Sequence, residues 1–133
     1  MADAVTSQTI QDGERKAVLK FTNISDGTGE AAVKKIDVSA LSANSAGAAC
    51  TEVAVAKIWW QCVGMGVELL NDATADTLII GLSPDSNGFH DYSDFSGIPN
   101  DAGDGKTGDV MFTTIGASSS DTYTVIVEVL KSY

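Results

Sequence analysis

Between Glu14 and Ile24 the chain reads ERKAVLKFTNI, with Ala17, Leu19 and Phe21 alternating with Lys16, Val18 and Lys20. Alternation at a period of two marks a half-buried strand, because successive side chains point to opposite faces. SDGTGE (25–30) then supplies turn chemistry, with Gly27 and Gly29 able to take positive φ. AAVKKIDVSAL (31–41) resumes an extended pattern, and SANSAGAAC (42–50) is small and polar enough to be a loop. The longest apolar run, TEVAVAKIWWQCVGMGVELL (51–70), has the length of a helix. Its β-branched residues, paired tryptophans and two glycines predict instead two strands bent at Gly64 and Gly66. Trp59 and Trp60 then point to opposite faces, which suits a central strand covered on both sides or a subunit contact on one side.

After a turn at NDATAD comes a short strand, TLIIGL (77–82), whose apolar run reads as buried. From Pro84 to Asp109 the character changes, with both prolines, five glycines and six aspartates. This reads as a long irregular excursion with a tight turn at Asn87-Gly88. Order returns in VMFTTI (110–115), a turn at GASSSD, and TYTVIVEVL (122–130), where Tyr123, Val125, Val127 and Val129 share one face. About seven or eight short strands with Gly- and Asp-rich turns predict an all-β protein, an antiparallel β-sandwich of jelly-roll or Ig-like type. Residues 1–12 are set apart as an extended N-terminal arm before a single sandwich domain over 13–133. Within the arm, Val5 and Ile10 either add to a neighbouring sheet edge or pair inside their own domain.

Composition supports this organisation. At 133 residues, 44% of them hydrophobic and 20% charged, the chain is one globular domain that needs neither disulfide nor structural metal to fold. Its net charge of −10 opposes nucleic acid and anionic membranes as partners. The charge is uneven: residues 1–57 carry six bases and seven acids, whereas residues 58–133 carry two bases and eleven acids. The opening MADAVTSQTIQDGERK lacks the order of a signal peptide, and no apolar run reaches the roughly 18 residues a membrane span needs. The expectation is a protein made and kept, or assembled, in a cytosol, with Cys50 and Cys62 packed as free thiols.

Several stretches invite a chemical reading. DAGDGKTGDV (101–110) contains GKT, yet a P-loop requires a glycine where Asn100 stands and a helix where a β-rich run follows. Asp101, Asp104 and Asp109 offer oxygen ligands for calcium, but Gly103 interrupts the EF-hand spacing and aspartates favour turns in any case. His90 sits beside Asp91, Ser93 and Asp94 without the nucleophile elbow a serine hydrolase needs. No paired carboxylates stand in a glycosidase frame, and Trp59 and Trp60 serve a core or interface as readily as a sugar. The expectation is a non-enzyme with no cofactor and no metal.

SQTIQDGERKAVLKFTNISDGTGEAAVKKIDVSAL (7–41) resembles the N-terminal part of small virion structural proteins of tailed bacteriophages, particularly those of marine bacteria, and GDVMFTTIGASSSDTYTVIVEVLK (108–131) is similar to their closing hairpin. Some of these resemble head decoration, or cement, proteins. The resemblance implies a sandwich on the outer surface of the head, assembled in the host cytoplasm, that binds the major capsid protein and forms a homo-oligomer such as a trimer. It also leaves open another virion component of the neck or tail. Apart from that resemblance, a carbohydrate-binding module or adhesin is the alternative. The charge split places the near-neutral first part against the shell, through Arg15, Lys16, Lys34 and Lys35, and the acidic 84–109 segment toward solvent.

Overall fold

The computed structural model describes residues 3–133, so the first two residues of the expected arm lie outside it. Nine strands follow one another: β1 (Ala4–Asp12), β2 (Lys16–Asp26), β3 (Val33–Ile36), β4 (Glu52–Val63), β5 (Gly66–Asn71), β6 (Thr77–Leu82), β7 (Asn87–Asp91), β8 (Val110–Ile115) and β9 (Ser119–Ser132). They form two antiparallel sheets, a five-stranded one in the order β1-β2-β9-β4-β7 and a four-stranded one in the order β3-β8-β5-β6. The pairs β2–β9, β3–β8, β4–β7 and β5–β6 nest inside one another in sequence, as in a long hairpin rolled up on itself. That nesting makes the sandwich a jelly roll rather than an Ig-like fold.

Alternation builds the core. Ala17, Leu19 and Phe21 of β2 and Tyr123, Val125, Val127 and Val129 of β9 all turn inward, where Val67, Leu69 and Phe112 of the second sheet meet them. Phe21 and Phe112 join the two sheets edge to face, with ring centroids 5.2 Å apart. In β4 the alternation changes phase: a bulge between Val55 and Lys57 buries Ala56 beside Val55, and the inward set becomes Ile58 and Cys62. β4 then leaves one sheet and β5 enters the other through Gly64. Its φ is +84°, and a Cβ there would lie 2.0 Å from an Asp121 carboxylate oxygen.

Three expectations change. The strand expected over 31–41 is only Val33–Ile36, followed by a 3₁₀ turn at Val38–Ala40. TLIIGL is an edge strand and only partly buried. Asn87 and Gly88 belong to β7, and the turn lies before them, where Asp85 takes a φ of +54°. Gly88 suits that strand because the Trp60 ring lies over it, 3.1 Å from where a Cβ would be, so that any side chain there would push the ring aside by a few tenths of an ångström. Of the two courses open to the arm, its described residues take the one within their own domain, as an edge strand paired with β2 from Ala4 to Asp12.

Candidate partner-binding site

β1 is an edge strand clamped at both ends. At its start, Asp3 accepts hydrogen bonds from the Asp26 N–H at 3.0 Å, Asn23 Nδ2 at 3.1 Å and Thr28 Oγ1 at 3.1 Å. Burial works to raise this carboxyl's pKa, but the hydrogen bonds outweigh it and hold the group at about 2. At the far end Asp12 is paired with Lys131, whose side chain is fully buried, and accepts from the Ser42 N–H at 2.8 Å. There too burial raises and the bonds from Lys131 and Ser42 outweigh it, leaving the group below the usual carboxylate range. Between the clamps, Ala4 to Gln11 carry no charge and are all exposed, with Val5 at 47% and Ile10 at 51%. The inward-pointing Ser7 and Thr9 line a cleft of about 160 Å³ with Asp37, Ala40 and Leu41 instead of packing on a strand of the other sheet.

The four cations expected on one contact surface are separated by the fold. Lys35 turns into the interior, where its ammonium lies 2.5 Å from Glu30 and both side chains are buried. Glu30 Oε1 also accepts from Tyr123 Oη at 2.6 Å and Asn23 Nδ2 at 3.0 Å. Burial, together with this carboxylate, pushes the Tyr123 phenol's pKa well up. Lys35 is therefore a structural cation and presents no surface to a partner. Lys34 stays half exposed on β3 but is held 2.9 Å from Asp109. Lys16 lies 3.4 Å from Glu128 on the outer face of the five-stranded sheet. Among the described residues, Arg15 and Lys20 are the two bases without an ion-pair partner.

That outer face carries one of the two tryptophans for which the sequence allowed either a core or a contact role. Strand register places Lys20, Ile126, Trp59 and Phe89 in one row across β2, β9, β4 and β7. Trp59 and Phe89 stack with centroids 5.1 Å apart and an interplanar angle of 25°, and are 36% and 49% exposed. Ile24 and Val63 extend the apolar surface toward one end, where Thr122 lies between them. A depression of about 170 Å³ beside the stack is floored by Gly88 and Ile126 and edged by Gln61 and Thr124. The ionisable side chains that strand register places on the face are Lys16, Lys20 and Lys57 against Glu52, Asp91 and Glu128, three positive and three negative, so the face carries no net charge on a chain of −10. Alternation had already put the two tryptophans on opposite faces, but only the strand order shows that Trp59 is the outward one.

The acidic segment is less loose than its composition predicts. The Ile98 N–H reaches the Val55 carbonyl at 2.8 Å, the Thr107 N–H reaches that of Asp72 at 3.0 Å, and the Thr74 N–H reaches that of Asp104 at 3.1 Å. Asp109 is 4% exposed and accepts from the Val38 N–H at 2.9 Å, so it lies apart from solvent in a pair with Lys34. Among the described residues no three His, Cys, Asp or Glu side chains converge as a cation site requires. Ser93 Oγ donates to Asp91 at 2.5 Å in a local turn while His90 lies between the rings of Trp60 and Tyr92, so the three do not assemble as a triad. Cys50 and Cys62 are free and buried, and burial raises the Cys62 thiol to about 11. Comparison of the chain with family models, curated proteins and solved structures returns no match.

Proposed function

We propose that this protein decorates the outside of a phage head, binding the major capsid protein and stabilising the shell by bridging its subunits. The resemblance of residues 7–41 and 108–131 to virion proteins supplies the class of partner. The observation that carries the contact surface is the Trp59–Phe89 stack on a sheet face without net charge in an otherwise acidic molecule. Stacked aromatics with flanking aliphatics provide desolvation energy at the centre of an interface, and Lys20 adds a cation free to meet a shell carboxylate. Many copies on one lattice need only modest affinity each. The jelly roll alone does not choose this role, since it hosts unrelated functions.

Co-sedimentation with purified heads tests the proposal. Wild type should pellet with heads, and Trp59→Glu should lower the bound fraction about tenfold or more, since an unpaired buried carboxylate is costly. Asp101→Asn with Asp104→Asn should leave binding intact. Failure of the wild type to bind heads, or greater sensitivity to the loop pair, overturns it. The depression edged by Gln61 and Thr124 favours one second reading, a sugar stacked on Trp59. Glycan-array binding that Trp59→Ala abolishes would select it instead.

A further inference from the structure

The four sheet edges are not equally protected. β3 has four residues, two of them lysine, and a register shift against its neighbour. β7 has five residues, including Gly88 and Asp91. β6 is interrupted by a bulge at Ile79, which is passed over where Leu69 pairs with Ile80 and Leu70 with Leu78, and it carries Gly81. Short length, charge and bulges are the usual means of keeping an edge from pairing with another chain. β1 has nine residues, no proline and no charge from Ala4 to Gln11, with its register shift confined to the stretch between Thr9 and Gln11. The Asp3 and Asp12 clamps also hold it in strand conformation, so little further ordering is required to pair it.

We propose that β1 is a pairing edge between two copies of this chain, joined antiparallel about a two-fold axis into one continuous ten-stranded sheet (five strands from each copy). A second copy fits this edge because it presents the same uncharged strand, so that two chains of charge −10 can meet there in spite of their overall repulsion. Two such molecules repel wherever charged surfaces meet, and β1 is the long edge along which they can approach without placing like charges opposite each other. A two-fold perpendicular to the sheet also requires side chains facing each other across the pair to come from the same face. Only registers with an even residue sum satisfy this, and of the two residues at the middle of the exposed run Ala4–Gln11, Ser7 is the one whose two neighbours on either side all precede the register shift, so it then meets its own copy. Val5 lies opposite Thr9 of the second copy, and its exposed surface becomes covered. Both outer faces remain on one side, so the dimer doubles the surface assigned above to the shell. The pairing itself does not rest on shell binding, and it expects a two-fold assembly rather than a trimer.

Sedimentation equilibrium of the full chain over a range of concentrations, without heads, tests it. Wild type should be a reversible dimer, and Ser7→Lys should weaken the dimer about tenfold or more by placing two ammonium groups face to face. Trp59→Glu should leave the dimer unchanged. In Ser7→Cys the two native thiols are buried, so mild oxidation should yield a covalent dimer in higher yield than Thr9→Cys, which faces Val5. If Ser7→Lys does not fold, the cross-linking comparison decides. A wild type that stays monomeric, a dimer that survives Ser7→Lys, or one dissociated by Trp59→Glu overturns the proposal. A monomer that needs Ser7 to bind heads overturns it in favour of a shell strand on the same edge, while a dimer that ignores heads leaves it standing and removes only the shell reading.

Discussion

β9 and β1 lie in the same sheet with β2 between them, and both are rich in threonine, serine and β-branched residues. In β9 every second residue from Tyr123 to Val129 is at most 1% exposed, whereas every residue of β1 from Ala4 to Gln11 is exposed. Composition does not separate them. β9 has a neighbour on each side and the second sheet across its inner face, while β1 has one neighbour and a cleft on its inner side. Coverage thus turns one kind of strand into core and another into a surface, and mutations should respond accordingly. The largest contrast is expected between Phe112→Ala, facing β9 and β2 across the core, and Val5→Ala on β1. The first should cost about 3–5 kcal/mol, and the second under about 0.5 kcal/mol, in urea unfolding of the monomer. Comparable losses would break the distinction.

What does tie β1 to the fold lies at its ends. Asp12→Ala leaves Lys131 buried with only Ser42 as a partner, and should destabilise by about 3 kcal/mol, because an uncompensated buried charge is the costly outcome. Lys131→Met removes both the charge and the need for its partner, and should cost less than Asp12→Ala. The reverse order in thermal unfolding would mean that the pair is worth more than the desolvation it relieves.

Acid should detach the same strand. Asp3, at about 2 when folded against an ordinary 3.8, binds its proton less readily in the native state, as does Asp12. Their stabilisation is therefore complete above pH 4 and is lost as pH falls toward 2. Amide exchange in β1 should accelerate over that interval before exchange in β9 does. Simultaneous loss of protection in both strands would show that the clamps have no separate effect on the edge.

The parts of this architecture that the sequence discloses are those in which burial alternates. β2 and β9 show the period because one face of each is covered and the other is not. β7 escaped recognition because all five of its residues are exposed, so NGFHD carries no period and its Asn-Gly reads as a turn. TLIIGL looked buried because its four apolar residues ignore the edge position and the bulge in its pairing that together leave Leu78 53% exposed. The site was legible in part. Val5 and Ile10 stood out as apolar residues in a polar segment, and they are exposed. Lys34 and Lys35 are neighbours in sequence, yet one lies on the surface and the other meets Glu30 inside. That partner comes from the preceding turn, so no local pattern announces it. Phe89 joins Trp59 only through the β4–β7 pairing, a contact between strands separated by the whole of the second sheet's β5 and β6.

The smallest effect concerns the middle of β1, where Thr6 and Thr22 share a hydroxyl hydrogen bond on the exposed face. Cross-strand pairs of this kind contribute about 0.2–1 kcal/mol, and an exposed pair can exchange its bond for water. Thr22→Val keeps the β-branched shape and loses only the hydroxyl, so unfolding free energy should move by less than about 0.5 kcal/mol. Dimer strength should be equally unaffected, since Thr22 lies on the side of β1 away from the free edge. A loss above about 1 kcal/mol would mean that side-chain pairs along the strand, rather than its backbone ladder and two end clamps, hold the edge in place. The edge would then be ordered only as far as its own side chains allow, and the preorganisation that favours pairing with a second copy would be weaker than the clamps imply.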